Sequence, residues 1–302
     1  MNCKSTCPAV RVVMFPKDTD PAGTITGGNI LCLIDVAGAV AAAKISPHRL
    51  VTVSMDKIIF KKPVLVGDII TCWSEVVGTG RTSIDVKILV EAERHGKIIT
   101  VTEALAKFVA VDKNQRPIPW DSPVGTMAPE TSKALVAPLA LTKVKSYQEQ
   151  CNSNCPAVRL VMFPKDCNPS GNIFGGIILS HIDVAGAVAA GQLTTHRVVT
   201  VSMDKVVFKK PVLVGDILTC WTEIVNKGHT SIEVKIFVEA ERRGEIIKVT
   251  EGQATYVAVD KKHRPVAWDS PAGTRGDKKG KKTKKSKHKG EKKNKKNKKN
   301  KN

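Results

Sequence analysis

The chain has 302 residues, of which 42% are hydrophobic and 4% aromatic, and carries a formal charge of +20 at pH 7. This composition excludes a wholly disordered chain, and the length suits one large domain or two small ones. The longest apolar stretch, Ile30 to Ala43, is interrupted by Asp35 and falls short of the ~18 residues that a membrane-spanning helix needs, so no such helix is expected.

Met1 to Val10 holds one Lys and lacks the apolar segment of a secretory signal, which points to a reducing, cytoplasmic setting. A short apolar strand is predicted from Ala9 to Phe15. The next stretch, PKDTDPAGTITGG, predicts a loop, because its Pro and Gly residues oppose regular structure. A helix is predicted over Asn29 to Ile45. There Ile30, Leu31, Leu33, Ile34, Val36, Ala37, Ala39 and Val40 occupy every side of the helical wheel, so the helix is expected to be buried all round. Alternating and β-branched runs follow at Val51 to Phe60, Asp68 to Val77, Thr82 to Glu93 and Ile98 to Val111, and predict four strands. In the third, Ile84, Val86, Ile88 and Val90 face one way, and Ser83, Asp85, Lys87 and Leu89 the other. That alternation suits an antiparallel sheet covered on one side.

The same series then recurs. CPAVRVVMFPKD from Cys7 returns as CPAVRLVMFPKD from Cys155, and the offset of 148 residues holds without a gap to WDSPVGT and WDSPAGT, with about two thirds of aligned positions identical. Two copies are too few for a solenoid, so a tandem duplication packing as an intrachain pseudo-dimer is expected. The expected organisation is a first domain at 1–126, a linker at 127–150 whose Ser132 to Leu141 is partly helical, a second domain at 151–274, and a tail at 275–302. The tail alone carries +14, leaving +6 for the folded body, and it has no apolar residue to bury.

A strand, one central helix and four further strands describe an α+β unit in which an antiparallel sheet curls around a helix. PKDCNPSGNIFGGIILSHIDVAGAVAA (Pro164 to Ala190), VTVSMDKVVFKKPVLVGD and GRTS (Gly80 to Ser83) resemble the hotdog-fold acyl-CoA thioesterases, and specifically the tandem double-hotdog acyl-CoA hydrolases. The resemblance covers both copies. It implies tandem hotdog domains that cleave acyl-CoA to a free fatty acid and CoA, with no metal or redox cofactor.

Asp35 and its repeat mate Asp183 stand inside otherwise apolar helices, where an ionised carboxylate is costly unless paired or employed. On the residues alone, such an Asp either hydrogen-bonds a backbone group or serves as a base whose pKa is raised by desolvation. Gly27 and Gly28, with Gly175 and Gly176 in the second copy, open the helices. Their backbone N–H groups, at the positive end of the helix dipole, could hold an oxyanion. The resemblance implies an Asn before the helix that works across the domain interface with the other domain's Asp. Carried over, it pairs Asn172 with Asp35 in a complete site, and Thr24 with Asp183 in a second site expected to be weak or dead, because a Thr hydroxyl is shorter than an amide.

The resemblance also places CoA phosphates near Arg81, Thr82 and Ser83, and near His229, Thr230 and Ser231 in the second copy. Arg81 is the better phosphate ligand, since its fork stays charged. Lys61, Lys62, Lys209 and Lys210 either assist or merely end a strand in solvent. His181 lies one turn from Asp183 but corresponds to Leu33, so it reads as a packing residue. Cys3 and Cys7, with Cys151 and Cys155, form a duplicated C-x3-C that reads more readily as reduced thiols than as a zinc site. A homo-oligomer, often a trimer of double-hotdog chains, is implied by the resemblance. The tail suggests weak contact with polyanions such as RNA or with anionic membrane, and the alternative to an enzyme is a non-catalytic acyl-CoA-binding module.

Overall fold

A computed structural model describes residues 8–129, 146–147 and 156–276. The duplicated C-x3-C cysteines, the helix expected over Ser132 to Leu141 and the lysine run beyond Gly276 lie outside the described residues.

In the first copy, β1 (Val10–Val13), α1 (Gly27–Ala43), β2 (Arg49–Met55), β3 (Ile58–Ile59), β4 (Ile69–Thr79), β5 (Ser83–Arg94) and β6 (Lys97–Val111) follow in order. The second copy repeats them as β7 (Val158–Val161), α2 (Gly175–Gly191), β8 (Arg197–Met203), β9 (Val206–Val207), β10 (Ile217–Lys227), β11 (Ser231–Arg242) and β12 (Glu245–Val259). The pairings between neighbouring strands are antiparallel, and each copy's helix packs on its own sheet, which is the hotdog arrangement. The period-two pattern of β5 translates directly into burial: Ile84, Val86, Ile88 and Val90 are each 0% exposed.

Two expectations need correction. The run Val51 to Phe60 is not one strand. It breaks at Asp56 and Lys57, and its second piece crosses to the other copy, where Ile58 pairs with Met203 and Ile59 with Ser202. Reciprocally, β9 joins the edge of the first sheet, with Val207 opposite Ser54. The sheet orders are therefore β1-β4-β5-β6-β2-β9 and β3-β8-β12-β11-β10-β7. The charges at the break are paired across the exchange, Lys57 with Asp204 at 2.5 Å and Lys205 with Asp56 at 2.7 Å.

The second correction concerns the helices, which are not buried all round. Each meets its own sheet on one side and the other helix on another, and this leaves a third stripe toward solvent, with Val40 37%, Val184 41% and Val188 40% exposed. The first helix also starts two residues before the expected Asn29, because the Thr26 hydroxyl caps it by accepting the Asn29 N–H at 3.2 Å. Among the described residues, no helix is long and apolar enough to cross a membrane.

Candidate active site

The two helices approach so closely that glycine is required where they meet. A Cβ on Gly176 would stand 2.8 Å from the Cys32 Cα and 2.9 Å from the Asp35 Cβ, and one on Gly28 would stand 2.8 Å from the Ser180 Cα. This contact brings the N-terminus of each helix to the aspartate of the other. Asp35 Oδ2 accepts the Gly176 N–H at 2.8 Å, and its Oδ1 accepts the Thr52 hydroxyl at 2.8 Å. Asp183 repeats the arrangement with the Gly28 N–H at 2.8 Å and the Thr200 hydroxyl at 2.7 Å.

Both aspartates are buried, at 1% and 3% exposure. Burial pushes the Asp35 carboxyl above the usual range, against the opposing pull of its bonds from Gly176 and Thr52. Burial likewise pushes Asp183 up to about 6, with the nearby Asp20 charge adding to the rise and the bonds from Thr200 and Gly28 opposing it. Each carboxylate is thus held by a helix N-terminus yet is a stronger base than an exposed one.

The glycine pairs divide their work. The N–H groups of Gly28 and Gly176 are committed to the carboxylates, which corrects the expectation that both members of each pair are free for an oxyanion. Gly27 and Gly175 keep backbone N–H groups without a hydrogen-bond partner among the described residues, and each lines a cavity.

The cavity beside Asp35 is lined by Thr52 from the first copy and by Asn172, Gly175, Ile178, Phe208 and Lys210, among others, from the second; its volume is about 70 Å³. Asn172 is 4% exposed, and its Oδ1 is buried without a partner. Asn172 thus lines the same cavity as Thr52, the hydroxyl donor to Asp35, while Asp35 itself is not among the lining residues. The cavity beside Asp183 is larger, about 330 Å³, and is lined by Asp20, Thr24, Gly27, Lys62, Thr200 and His263, among others. There the Thr24 hydroxyl donates to Asp20 Oδ2 at 2.5 Å.

Arg81, Thr82 and Ser83, with His229, Thr230 and Ser231, sit at the β4–β5 and β10–β11 hairpins and line neither cavity. The FKKP lysines do line them, Lys209 and Lys210 at one and Lys61 and Lys62 at the other. Lys61 and Lys209 pair with Glu103 at 3.0 Å and Glu251 at 2.7 Å. His181 is partly buried, and burial lowers its pKa. Thr52, Thr200 and Gln115 are site residues beyond those the sequence predicts; the signal for the threonines is the identical VTVSMDK of both copies. Among the described residues, no cluster of three or more His, Cys, Asp or Glu side chains could hold a metal.

Comparison with known proteins places this geometry in a family. The thioesterase superfamily model matches residues 22–99 and again 170–247. The acyl-CoA thioester hydrolase YciA of Escherichia coli (strain K12) is 39% identical over 115 residues, spanning 36% of this chain and 87% of that protein. A hexameric hotdog-fold thioesterase of Campylobacter jejuni is 48% identical, covering 37% of this chain and 89% of its own, with a TM-score of 0.37. An acyl-ACP thioesterase of Bacteroides thetaiotaomicron, 16% identical with a TM-score of 0.52, covers 82% of this chain and 96% of its own, and shares the fold. The chain belongs to the thioesterase superfamily, as a thioester hydrolase built from two hotdog units in tandem.

Proposed function

We propose that the protein hydrolyses fatty acyl-CoA to a free fatty acid and CoA at the cavity between its two copies, with Asp35 and Asn172 as the working pair. The observation that carries this reading is the convergence at one interface of a raised, buried carboxylate and a buried Asn oxygen with no partner. Asp35 supplies the carboxylate that activates the attack. Asn172 orients the attacking water, and the free Gly175 N–H meets the oxygen on which negative charge develops. A cavity of about 70 Å³ has room for the reacting carbonyl and a water, so the acyl chain and the nucleotide extend beyond it. Lys210 stands at its rim to meet phosphate, and the hairpin residues Arg81, Thr82 and Ser83, with His229, Thr230 and Ser231, remain proposed contacts for the outer part of CoA.

The Thr24/Asp183 site is proposed as the weaker one, because the Thr24 hydroxyl is turned onto Asp20. The domain limits 1–126 and 151–274 and a cytoplasmic, reducing setting belong to the same proposal. The unpaired thiols of Cys32, Cys72, Cys167 and Cys220 support the setting. Assembly as a homo-oligomer, a trimer of such chains, is supported by symmetric exposed apolar residues, among them Phe15 at 52% and Phe163 at 54%, and sedimentation tests it. Salt-dependent retention on RNA or anionic vesicles, lost on deletion of residues 275–302, tests a role for the basic tail.

The reading is tested by thiol release from acyl-CoAs of increasing chain length, with wild type and Asp35→Ala side by side. Turnover that disappears with Asp35 supports it. A folded wild-type protein that binds acyl-CoA without turnover would favour the non-catalytic binding module.

A further inference from the structure

Beside the cavity of Asp35, the turn after β6 places Gln115 of the first copy against the loop of the second. Its Nε2 donates to the Ser170 backbone oxygen at 2.9 Å, and its Oε1 accepts from Asn172 Nδ2 at 2.9 Å. A backbone carbonyl can only accept, so the first bond fixes which end of the Gln115 amide faces Ser170 and which faces Asn172. The oxygen that remains can only accept, so Asn172 must present its NH2 group to it. That ordering leaves Asn172 Oδ1 as the buried acceptor without a partner. The Asn172 backbone is pinned as well, its N–H donating to Asn168 Oδ1 at 3.1 Å.

We infer that Gln115 is a positioning residue for thioester hydrolysis: it locks the amide of Asn172 so that the site offers a hydrogen-bond acceptor, suited to the attacking water, rather than a donor. The inference rests on the assignment of Asn172 to the active site. An acceptor takes a hydrogen from water and leaves a water lone pair free to attack, whereas an NH2 group would bind that lone pair. The carbonyl oxygen of the thioester is then left to the Gly175 N–H.

The other site is a comparison within the same chain. The position of Asn172 is held by Thr24, that of Gln115 by His263, and that of Asn168 by Asp20. His263 Nε2 bonds the Ala22 backbone oxygen at 2.9 Å, while Thr24 turns to Asp20. The bond to the loop carbonyl survives and the bond to the residue before the helix does not, so the two partners of the relay have changed together.

Gln115 has φ +61°, a left-handed conformation that glycine adopts freely, so Gln115→Gly removes the amide without straining the turn. The experiment compares decanoyl-CoA hydrolysis by full-length wild type, Gln115→Gly, Asn172→Ala and the double variant, with thermal midpoints measured alongside. For Gln115→Gly we expect kcat to fall about 10- to 100-fold with KM within twofold of wild type and the thermal midpoint unchanged. In the Asn172→Ala background the same change should cost less than twofold, because the residue it positions is gone. A Gln115→Gly variant as fast as wild type, while Asn172→Ala is slow, overturns this inference alone. An equal further loss in both backgrounds, or a loss that tracks a fallen midpoint, makes Gln115 merely structural and also overturns it. An inactive wild type, or an Asn172→Ala variant as fast as wild type, removes the site assignment and the inference with it.

Discussion

Replacing Asp183 by Asn should stabilise the protein, and by an amount that depends on pH in a defined direction. The carboxyl is 3% exposed, and burial holds its pKa at about 6, against about 3.9 in an unfolded chain. Below pH 4 it is protonated in both states and costs nothing as a charge. Between about pH 4 and 6 the unfolded chain has released this proton while the folded state still holds it, so stability falls across that window and levels off above it. The difference of roughly two pKa units corresponds to about 3 kcal/mol at pH 7.5. Asn keeps the shape, since its Oδ1 can accept the Gly28 N–H and its Nδ2 can donate to a reoriented Thr200 hydroxyl. Asp35 titrates in both proteins and cancels in the comparison.

The assay is thermal unfolding of wild type and Asp183→Asn at pH 4.5 and pH 7.5. Unfolding entropy of about 2.1 cal/mol/K per residue, applied to 302 residues, converts 3 kcal/mol to a gain of about 5 °C at the higher pH, shrinking toward the lower one. An offset between the two proteins that is the same at both pH values would refute the reasoning, because the carboxyl would then not be raised. Turnover is expected to stay above half of wild type, since the Asn172/Asp35 site is untouched.

The remaining predictions concern the other site and its supports. Asp35→Ala and Asn172→Ala should each lower kcat for acyl-CoA hydrolysis at least 100-fold, read by thiol release, while Asp183→Ala lowers it less than threefold. Gly176→Ala puts a Cβ 2.8 Å from the Cys32 Cα, so it should cost about 1–3 kcal/mol in denaturant unfolding and displace Asp35 enough to lower kcat. Gly191→Ala, with open space around its Cβ, should be neutral within about 1 kcal/mol and serves as the control. Lys210 lines the Asp35 cavity and has no ion-pair partner among the described residues. Lys210→Glu should therefore raise KM several-fold with kcat little changed, an effect that fades at high salt.

Where local pattern decides structure, the sequence was legible. The alternation of Ile84, Val86, Ile88 and Val90 predicts β5 and its buried face, and the apolar run from Ile30 predicts the helix to within two residues of its start, because both signals depend on neighbours within one or two turns. The exchange of β3 and β9 was not legible, since Asp56 and Lys57 read as part of one strand until their partners Asp204 and Lys205 are in view. The solvent stripe of Val40, Val184 and Val188 was hidden for a related reason: a helix wheel cannot show how many of its sides are covered. At the site, Asp35 and Asp183 stood out as charges in apolar helices, whereas Thr52 and Thr200 sit in strands where Thr is unremarkable. Gln115 acts only through a bond to residue 172, which no spacing rule reaches.

The way the two sites differ bears on what the duplication permits. Asp35, Thr52 and Gly176 at one site correspond to Asp183, Thr200 and Gly28 at the other, and these are identical pairs. The sites differ at three further pairs, with Asn168, Asn172 and Gln115 at the Asp35 site against Asp20, Thr24 and His263 at the Asp183 site. Asp20 and Thr24 belong to the first copy and His263 to the second, so each site draws its orienting residues from both copies. Each aspartate is held by the other copy's helix, and each sheet is completed by the other copy's short strand. The shared residues therefore build the interface on which both sites sit. The loop and turn residues answer only to their own cavity. In a dimer of identical subunits every change enters both sites at once, but a fused chain can alter the orienting residues of one site while the framework that positions both aspartates stays fixed.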